Sequence, residues 1–215
     1  MISKDEVLQR ITNNIISKTE ENSITPEILG GVIADAVNLI NNTFVQDFVL
    51  SGTTVLRPNK VVNIPDGITE LGANCLTGEE ITSINLGNTL QIIGRNSLSY
   101  NLVESIVIPD SVTTISDDAF RVCPITELVI GSGVTTIQGG FFRCALETLV
   151  IPDNVIEIGP LAFRENNLTS VTFGSGIQSI ANDSFTFNNL TSVDIPSGTT
   201  VGPNAFDDGV TINFV

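Results

Sequence analysis

Hydrophobic residues recur at a fixed step from residue 61 onward, in three columns that repeat every 21 or 22 residues. The first column, the apolar residue before each Pro or Gly, holds Ile64, Leu86, Ile108, Ile130, Ile151, Phe173 and Ile195. The second column holds Leu71, Ile93, Ile115, Ile137, Ile158, Ile180 and Val201. The third column holds Leu76, Leu98, Phe120, Phe142, Phe163, Phe185 and Phe206. This period predicts a solenoid, in which each repeat forms one coil and stacks on its neighbours.

Each repeat contains a segment in which apolar and polar residues alternate, as in Leu168-Thr-Ser-Val171-Thr-Phe173. Alternation with a period of two indicates a β-strand with one buried face. Parallel stacking of the coils places equivalent residues about 4.8 Å apart, so each column becomes an internal ladder. We therefore expect the columns to form the core, with burial of each member contributing about 2 kcal/mol.

Two further columns hold polar or small residues. The position two before the third column contains mostly Asn or Asp, which favour tight turns because their side chains bond nearby backbone. Its members are Asn74, Asn96, Asp118, Gly140, Leu161, Asp183 and Asn204. Another column contains Glu79, Asn101, Cys123, Cys144, Asn166 and Asn188. Here we expect Asn to bond buried backbone groups and Cys to act as a small buried hydrophobe.

The outward strand positions predict one flat surface with an apolar centre. One outward column reads Asn85, Val107, Val129, Val150, Thr172 and Asp194, and its neighbour reads Ser83, Ser105, Glu127, Thr148, Ser170 and Ser192. Branched residues are common on any sheet surface, but solenoids also bind partners along an extended sheet face. The candidate binding face consists of Asn85, Val107, Glu127, Val129, Val150, Thr172 and Asp194.

The turn after the strand alternates between two residue types. It reads Pro65, Gly87, Pro109, Gly131, Pro152, Gly174 and Pro196. The alternation indicates a unit of two coils. Either duplication of such a unit or two alternating turn types would explain it.

The first 43 residues follow a helical pattern instead. Ser3 to Glu6 form a capping box before apolar residues at helical spacing, and Thr25-Pro26-Glu27 starts a second amphipathic stretch. Two helices of this length bury too little surface to fold alone, so we expect self-association or docking to a larger assembly. A helical cap on the following domain is the alternative. The candidate oligomerisation residues are Leu29, Val32, Ile33, Ala36, Val37, Leu39 and Ile40.

These patterns together predict an α+β fold class with three regions. Residues 1–43 form a helical hairpin or bundle segment, residues 44–60 form a linker and a strand-like N-terminal cap, and residues 61–215 form the parallel β-solenoid. A cap is expected because a terminal coil otherwise exposes its core.

Composition removes several kinds of function. The net charge of -15 disfavours nucleic acid and anionic membrane surfaces as partners. No signal peptide or membrane-spanning run is visible, so we expect assembly in the cytoplasm and no membrane insertion. The chain has no His and its three Cys form no CxxC pair, which argues against zinc and against Ser-His or Cys-His chemistry. We expect no cofactor and no metal, and Cys123 and Cys144 stacked as free thiols.

A glycan hydrolase on this scaffold is the remaining enzymatic interpretation. It requires two carboxylates that converge on one face, and Glu127 and Asp194 are the only acids in the two outward columns. Three coils separate them, or about 14 Å, which is too far for a typical hydrolase pair. We therefore predict no catalytic residues and a protein that is not an enzyme.

The repeat xIPxxVxxIGxxAFxxCxxL resembles the leucine-rich repeats of the BspA type, which occur in bacterial surface proteins and some eukaryotic parasites. IPDSVTTISDDAFRVCPITEL from Ile108 and IPDNVIEIGPLAFRENNLTSV from Ile151 carry the resemblance. It implies a leucine-rich repeat solenoid over residues 61–215, with adhesion or recognition as its role and no shared catalytic residues.

The segment TEENSITPEILGGVIADAVNLINN looks like short helical modules that open tail-fibre and other virion proteins of bacteriophages infecting Bacteroidetes. That resemblance implies a homotrimer joined through the N-terminal helices, attachment to other virion proteins, and a host surface glycan or protein as receptor. Our first interpretation is therefore a non-enzymatic phage fibre or spike protein located in the virion. The alternative is a BspA-like adhesin on the bacterial cell surface, which would require export.

Overall fold

The computed structural model describes residues 60–215, which form a β-solenoid of parallel strands. Each coil contributes two strands to two different sides of the molecule. The odd-numbered strands, which we call the front face, are β1 Lys60–Asn63, β3 Ile81–Asn85, β5 Ser105–Val107, β7 Glu127–Val129, β9 Thr148–Val150, β11 Ser170–Thr172, β13 Ser192–Ile195 and β15 Thr211–Phe214. The even-numbered strands, the back sheet, are β2 Glu70–Leu71, β4 Ile92–Ile93, β6 Thr114–Ile115, β8 Thr136–Ile137, β10 Glu157–Ile158, β12 Ser179–Ile180 and β14 Thr200–Val201.

The predicted α+β class is wrong for this part of the chain, because residues 60–215 contain strands and turns but no helix. Most coils place two residues in the left-handed region after the back-sheet strand, as at Asp118 (φ 55°) and Val122 (φ 57°). Residues in this conformation interrupt a helix before its first turn is complete. The predicted helices at 1–43 and the oligomerisation residues from Leu29 to Ile40 lie outside the described residues, as does the predicted cap except for Lys60.

The predicted columns do line the core, and among their members only Phe142, Phe173 and Val201 are partly exposed. One member needs correction. The third column passes through Phe141, which is fully buried, and not through the half-buried Phe142. The Phe141 ring stacks between Phe120 and Phe163, with centroid distances of 5.1 and 5.5 Å.

The error has a local cause, a coil that is one residue shorter than its neighbours. Phe120 follows Ile115 by five positions, whereas Phe141 follows Ile137 by four. The missing residue is the left-handed one, and Gly140 has no positive φ although the other six predicted turn residues do. A Cβ on Gly140 would lie 2.8 Å from Ile115 Cγ2, so glycine is needed there for close packing.

The predicted roles of the Asn and Cys column are confirmed. Asn166 Nδ2 donates to the carbonyls of Phe141 and Phe163 at 2.9 and 3.0 Å, and its Oδ1 accepts from the Leu146 amide at 3.1 Å. Asn101 and Asn188 repeat this arrangement in their own coils. The buried backbone at this bend is therefore satisfied by one side chain per coil.

The cysteines in this column are free and buried. Cys123 Sγ donates to the Leu98 carbonyl at 3.2 Å, and Cys144 Sγ to the Phe120 carbonyl at 3.3 Å. Burial raises the pKa of the Cys123 thiol to about 11, so the thiol stays protonated and unreactive at neutral pH. These two residues pack in the core and offer no nucleophile.

The alternation of Pro and Gly arises from contacts between successive coils. The front-face strands join in pairs, β1 with β3, β5 with β7, and β9 with β11, each pairing a Pro coil with the Gly coil after it. The glycine lies directly on the backbone of the Pro coil: a Cβ on Gly131 would be 2.6 Å from the carbonyl oxygen of Ile108. Gly87 and Gly174 make the same close approach. This close contact explains why glycine alternates with proline along the stack.

A hydrogen bond strengthens each of these junctions. The carboxylates of Asp110 and Asp153, one residue after the prolines, accept from the amides of Ser132 and Ser175, both at 2.7 Å. These amide donors, together with the serine side chains, lower the pKa of both carboxyl groups. The Pro-Asp turn of one coil thus interlocks with the Gly-Ser turn of the next.

Candidate binding surface

The front face carries the predicted binding residues because its strands alternate inward and outward side chains. In β5 the Ile106 side chain is buried while Ser105 and Val107 point outward. The parallel register then sets Val107 beside Val129 and Ser105 beside Glu127 in β7. Each outward column therefore continues across neighbouring coils, as expected from the sequence.

The apolar centre of this face is a row of three valines. The exposed fractions are 64% for Val107, 57% for Val129 and 63% for Val150. Thr172 continues the row, since it pairs with Val150 in the register of β9 and β11. Exposed β-branched side chains on successive front-face strands form an apolar strip that binding would desolvate.

Polar groups border this strip. The second outward column is exposed throughout and consists of Ser83, Ser105, Glu127, Thr148, Ser170 and Ser192. Asn85 extends the valine column at one end and Asp194 extends it at the other. The Asp194 carboxylate accepts a hydrogen bond from Asn213 Nδ2 at 2.8 Å. All seven predicted binding residues thus lie on the front face, and the apolar row with its polar border has the composition of a contact surface.

Shallow grooves occur where one two-coil unit meets the next. The groove between β3 and β5 has a volume of about 440 Å³ and is lined by Asn85, Val107 and Pro109, among others. A second groove of about 260 Å³ lies between β11 and β13, beside Thr172 and Asp194. Both lie where the strand ladder is interrupted, because strands pair only within a unit. The sequence analysis did not predict these grooves, although the alternation of Pro and Gly indicates where one two-coil unit ends and the next begins.

The chain has two pairs of adjacent aspartates, Asp117-Asp118 and Asp207-Asp208, and both pairs lie in or beside turns. Asp118 has a left-handed backbone, and Asp117 Oδ1 accepts from the Gly139 amide at 3.1 Å. The Asp207 carboxylate accepts from the amides of Phe187 and Asn188 at 2.8 and 3.0 Å. Within residues 60–215, no cluster of His, Cys, Asp or Glu is arranged to hold a metal ion. The same residues include no helix long and apolar enough to cross a membrane.

The sequence pattern did not predict a second surface feature. Arginine and aromatic side chains from successive coils stack on one another beside the left-handed turns. The sequence pattern assigns Phe142 to the core, so its surface position among the arginines was not predicted.

Comparison with known proteins gives the family. The BspA type leucine rich repeat region matches in six copies across residues 41–144 and 138–214. The chain therefore belongs to the BspA-type leucine-rich repeat family, as the repeat motif predicted. No curated protein is significantly similar to it.

One solved structure supports the fold, and two further solved structures are less similar. The pneumococcal vaccine antigen PcpA is similar at 22% identity with a TM-score of 0.53, over 71% of this chain and 44% of that one. A leucine-rich repeat protein from Bacteroides ovatus has 18% identity and a TM-score of 0.49, over 73% of this chain and 56% of that one. A leucine rich cell surface protein from Faecalibacterium prausnitzii has 20% identity and a TM-score of 0.44, over 72% and 60%. The chain thus spans about half the length of the solved proteins that it matches.

These comparisons do not support the phage-like N-terminal module. The family match covers residues 41–144 and 138–214 and therefore includes almost none of the predicted helical module at 1–43. Self-association through those helices stays a prediction.

Proposed function

We propose that this chain is a non-enzymatic binding module of a bacterial cell-surface protein, acting in adhesion or recognition. The exposed valine row of the front face is the observation that carries the proposal. Family membership supports the proposal, since repeats of the BspA type occur in bacterial surface proteins. Two similar structures are described as a vaccine antigen and a cell surface protein. The comparisons favour this alternative over the virion.

The composition of the front face favours a protein partner. Val107, Val129 and Val150 offer an apolar strip without aromatic rings or cations, and hydroxyl-bearing residues border it. A protein surface with its own apolar patch and polar rim is complementary to this arrangement. The acidic chain also repels polyanions such as nucleic acid.

A cell-binding assay tests the proposal. The full chain, labelled with a fluorophore, is applied to animal epithelial cells and to bacterial cells, before and after the cells are treated with protease. We expect saturable binding that protease treatment abolishes. Absence of binding to every cell type, or binding that survives protease treatment, would contradict a protein partner.

Two variants connect the binding to the front face. Replacing Val107, Val129 and Val150 together by Ser removes the apolar row, and we expect binding to fall at least about tenfold. The matched control replaces Ile156 and Leu161 by Ser, because these apolar residues are also exposed, at 42% and 40%, but lie outside the front face. Equal loss of binding in both variants would contradict the assignment of the front face as the binding surface.

A further inference from the structure

A stripe of arginine and aromatic residues runs along the edge of the solenoid where the left-handed turns lie. We call it the arginine–aromatic stripe, and it consists of Tyr100, Arg121, Phe142, Arg143, Arg164 and Phe187. The Arg121 guanidinium lies 5.9 Å from the Tyr100 ring centre and 5.0 Å from that of Phe142. The Arg164 guanidinium lies 4.5 Å from the ring of Phe187. Cation–π contacts therefore hold rings and guanidinium groups in fixed positions.

Two of the three aromatic residues are exposed to solvent although they are large and largely apolar. Tyr100 is 51% exposed and Phe187 is 59% exposed. Both have a positive φ of 58°, a conformation that residues other than glycine rarely adopt. Gly78 occupies the equivalent position one coil before Tyr100, so the turn itself needs no side chain there. Other coils also have a positive φ here, as at Val122, so the turn sets the backbone and the exposed aromatic ring is what distinguishes Tyr100 and Phe187.

The rings are spaced by two coils. Tyr100, Phe142 and Phe187 belong to every second coil of the stack, so neighbouring rings lie about 10 Å apart along the solenoid axis. Guanidinium groups from the coils between them add planar hydrogen-bond donors to the same line. A polymer that repeats at this distance can meet an aromatic ring at each step, although Phe142 stands one position earlier in its coil than Tyr100 and Phe187 do in theirs.

Charge narrows the choice of ligand. Three of the five Lys and Arg residues in 60–215 lie in the stripe, but acids neutralise them. Arg143 Nε pairs with Glu165 at 2.6 Å, Arg164 with Asp183 at 3.3 Å, and Arg121 lies 3.7 Å from Asp118. On a chain of net charge -15, this balanced stripe suits an uncharged ligand better than a polyanion.

We propose that the arginine–aromatic stripe binds an extended, uncharged, β-1,4-linked polysaccharide. Pyranose rings in that linkage present flat C–H faces to aromatic rings and equatorial hydroxyl groups to Arg and Glu. The chain repeats after two sugars, a length that matches the two-coil spacing of the rings. This site is separate from the front face, and its ligand does not depend on the protein partner proposed there.

Oligosaccharide titration tests the site on the full chain. Chitohexaose and cellohexaose are the probes, with binding followed by calorimetry, and maltohexaose is the control because its α-linkage curls the chain. We expect one or both β-linked hexamers to bind, and maltohexaose to bind at least about tenfold more weakly. No binding of either β-linked hexamer at millimolar concentration, or equal binding of maltohexaose, overturns the proposal. Stronger binding to heparin that high salt removes overturns it too, since it would identify a polyanion.

Matched variants locate the site. Tyr100→Gly and Phe187→Gly remove a ring without backbone strain, as Gly78 shows, and each should weaken hexamer binding about tenfold. Phe214→Ala is the control, because this exposed phenylalanine in β15 lies outside the stripe. The triple Ser variant of the front face should bind the hexamers like the native chain. Equal effects of Phe187→Gly and Phe214→Ala would overturn the assignment.

Discussion

At the scale of single residues, the difference between Phe141 and Phe142 shows that one missing position decides which ring enters the core. The buried Phe141 ring stacks between two others, whereas Phe142 contacts arginines at the surface. We expect Phe141→Ala to destabilise the fold by about 3–5 kcal/mol and Phe142→Ala by about 1 kcal/mol or less. Chemical denaturation of the two variants measures both. Equal losses would restore the register predicted from the sequence.

The inward asparagines are a second test at this scale. Asn166→Ala leaves one buried amide and two carbonyls without their side-chain partner, so we expect a loss of at least about 2 kcal/mol. Asn166→Cys should lose less, because Cys144 already occupies the same bend one coil earlier. The control is Asn167→Ala at the exposed neighbour. If thermal melting shows the same stability for Asn166→Ala and Asn167→Ala, the Asn ladder contributes nothing.

At the scale of elements, the hydrogen bonds between the Pro-Asp turns and the Gly-Ser turns should make the stability of the fold depend on pH. The folded pKa values of Asp110 and Asp153 lie below the unfolded value of about 3.9. Their contribution is therefore fully present above that value and is lost as the pH falls through the folded pKa values. We expect the variant Asp110→Asn/Asp153→Asn to melt below the native chain at pH 6, with the gap closing below about pH 4.

A control separates this effect from general charge. Asp208→Asn removes a negative charge from an exposed position of the last coil and should not lower the melting temperature at pH 6. A gap for the double variant that persists unchanged at pH 2 would show that the interlock is not the cause.

At this scale the sequence predicted the front-face strands and their parallel stacking, but not that they pair within two-coil units. Period-two alternation located the front-face strands and their exposed side, because the strand pattern depends only on neighbouring residues. The pairing of strands within units depends on the contact of Gly131 with Ile108, two residues far apart in the chain. The stripe was missed for the same reason, since its members come from different coils.

At the scale of the whole molecule, the two-coil unit should determine which deletions the fold tolerates. Removing residues 109–151 joins Ile108 to Pro152 and restores the alternation, whereas removing residues 109–130 joins Ile108 to Gly131 and breaks it. We expect the shorter deletion to melt roughly 5 °C below the longer one, the shift that about 2 kcal/mol produces at this size. Calorimetry of the two deletions decides this. A higher melting temperature for the one-coil deletion would contradict the unit.

Under the proposed function, the outward valines of the front face serve binding and contribute little to the fold. Replacement of Val107, Val129 and Val150 by Ser tests it when stability and cell binding are measured on the same sample. We expect the free energy of unfolding to change by no more than about 0.5 kcal/mol per site. We expect binding to the cells to fall at least about tenfold. A variant that unfolds, or one that stays folded and binds like the native chain, would contradict the claim.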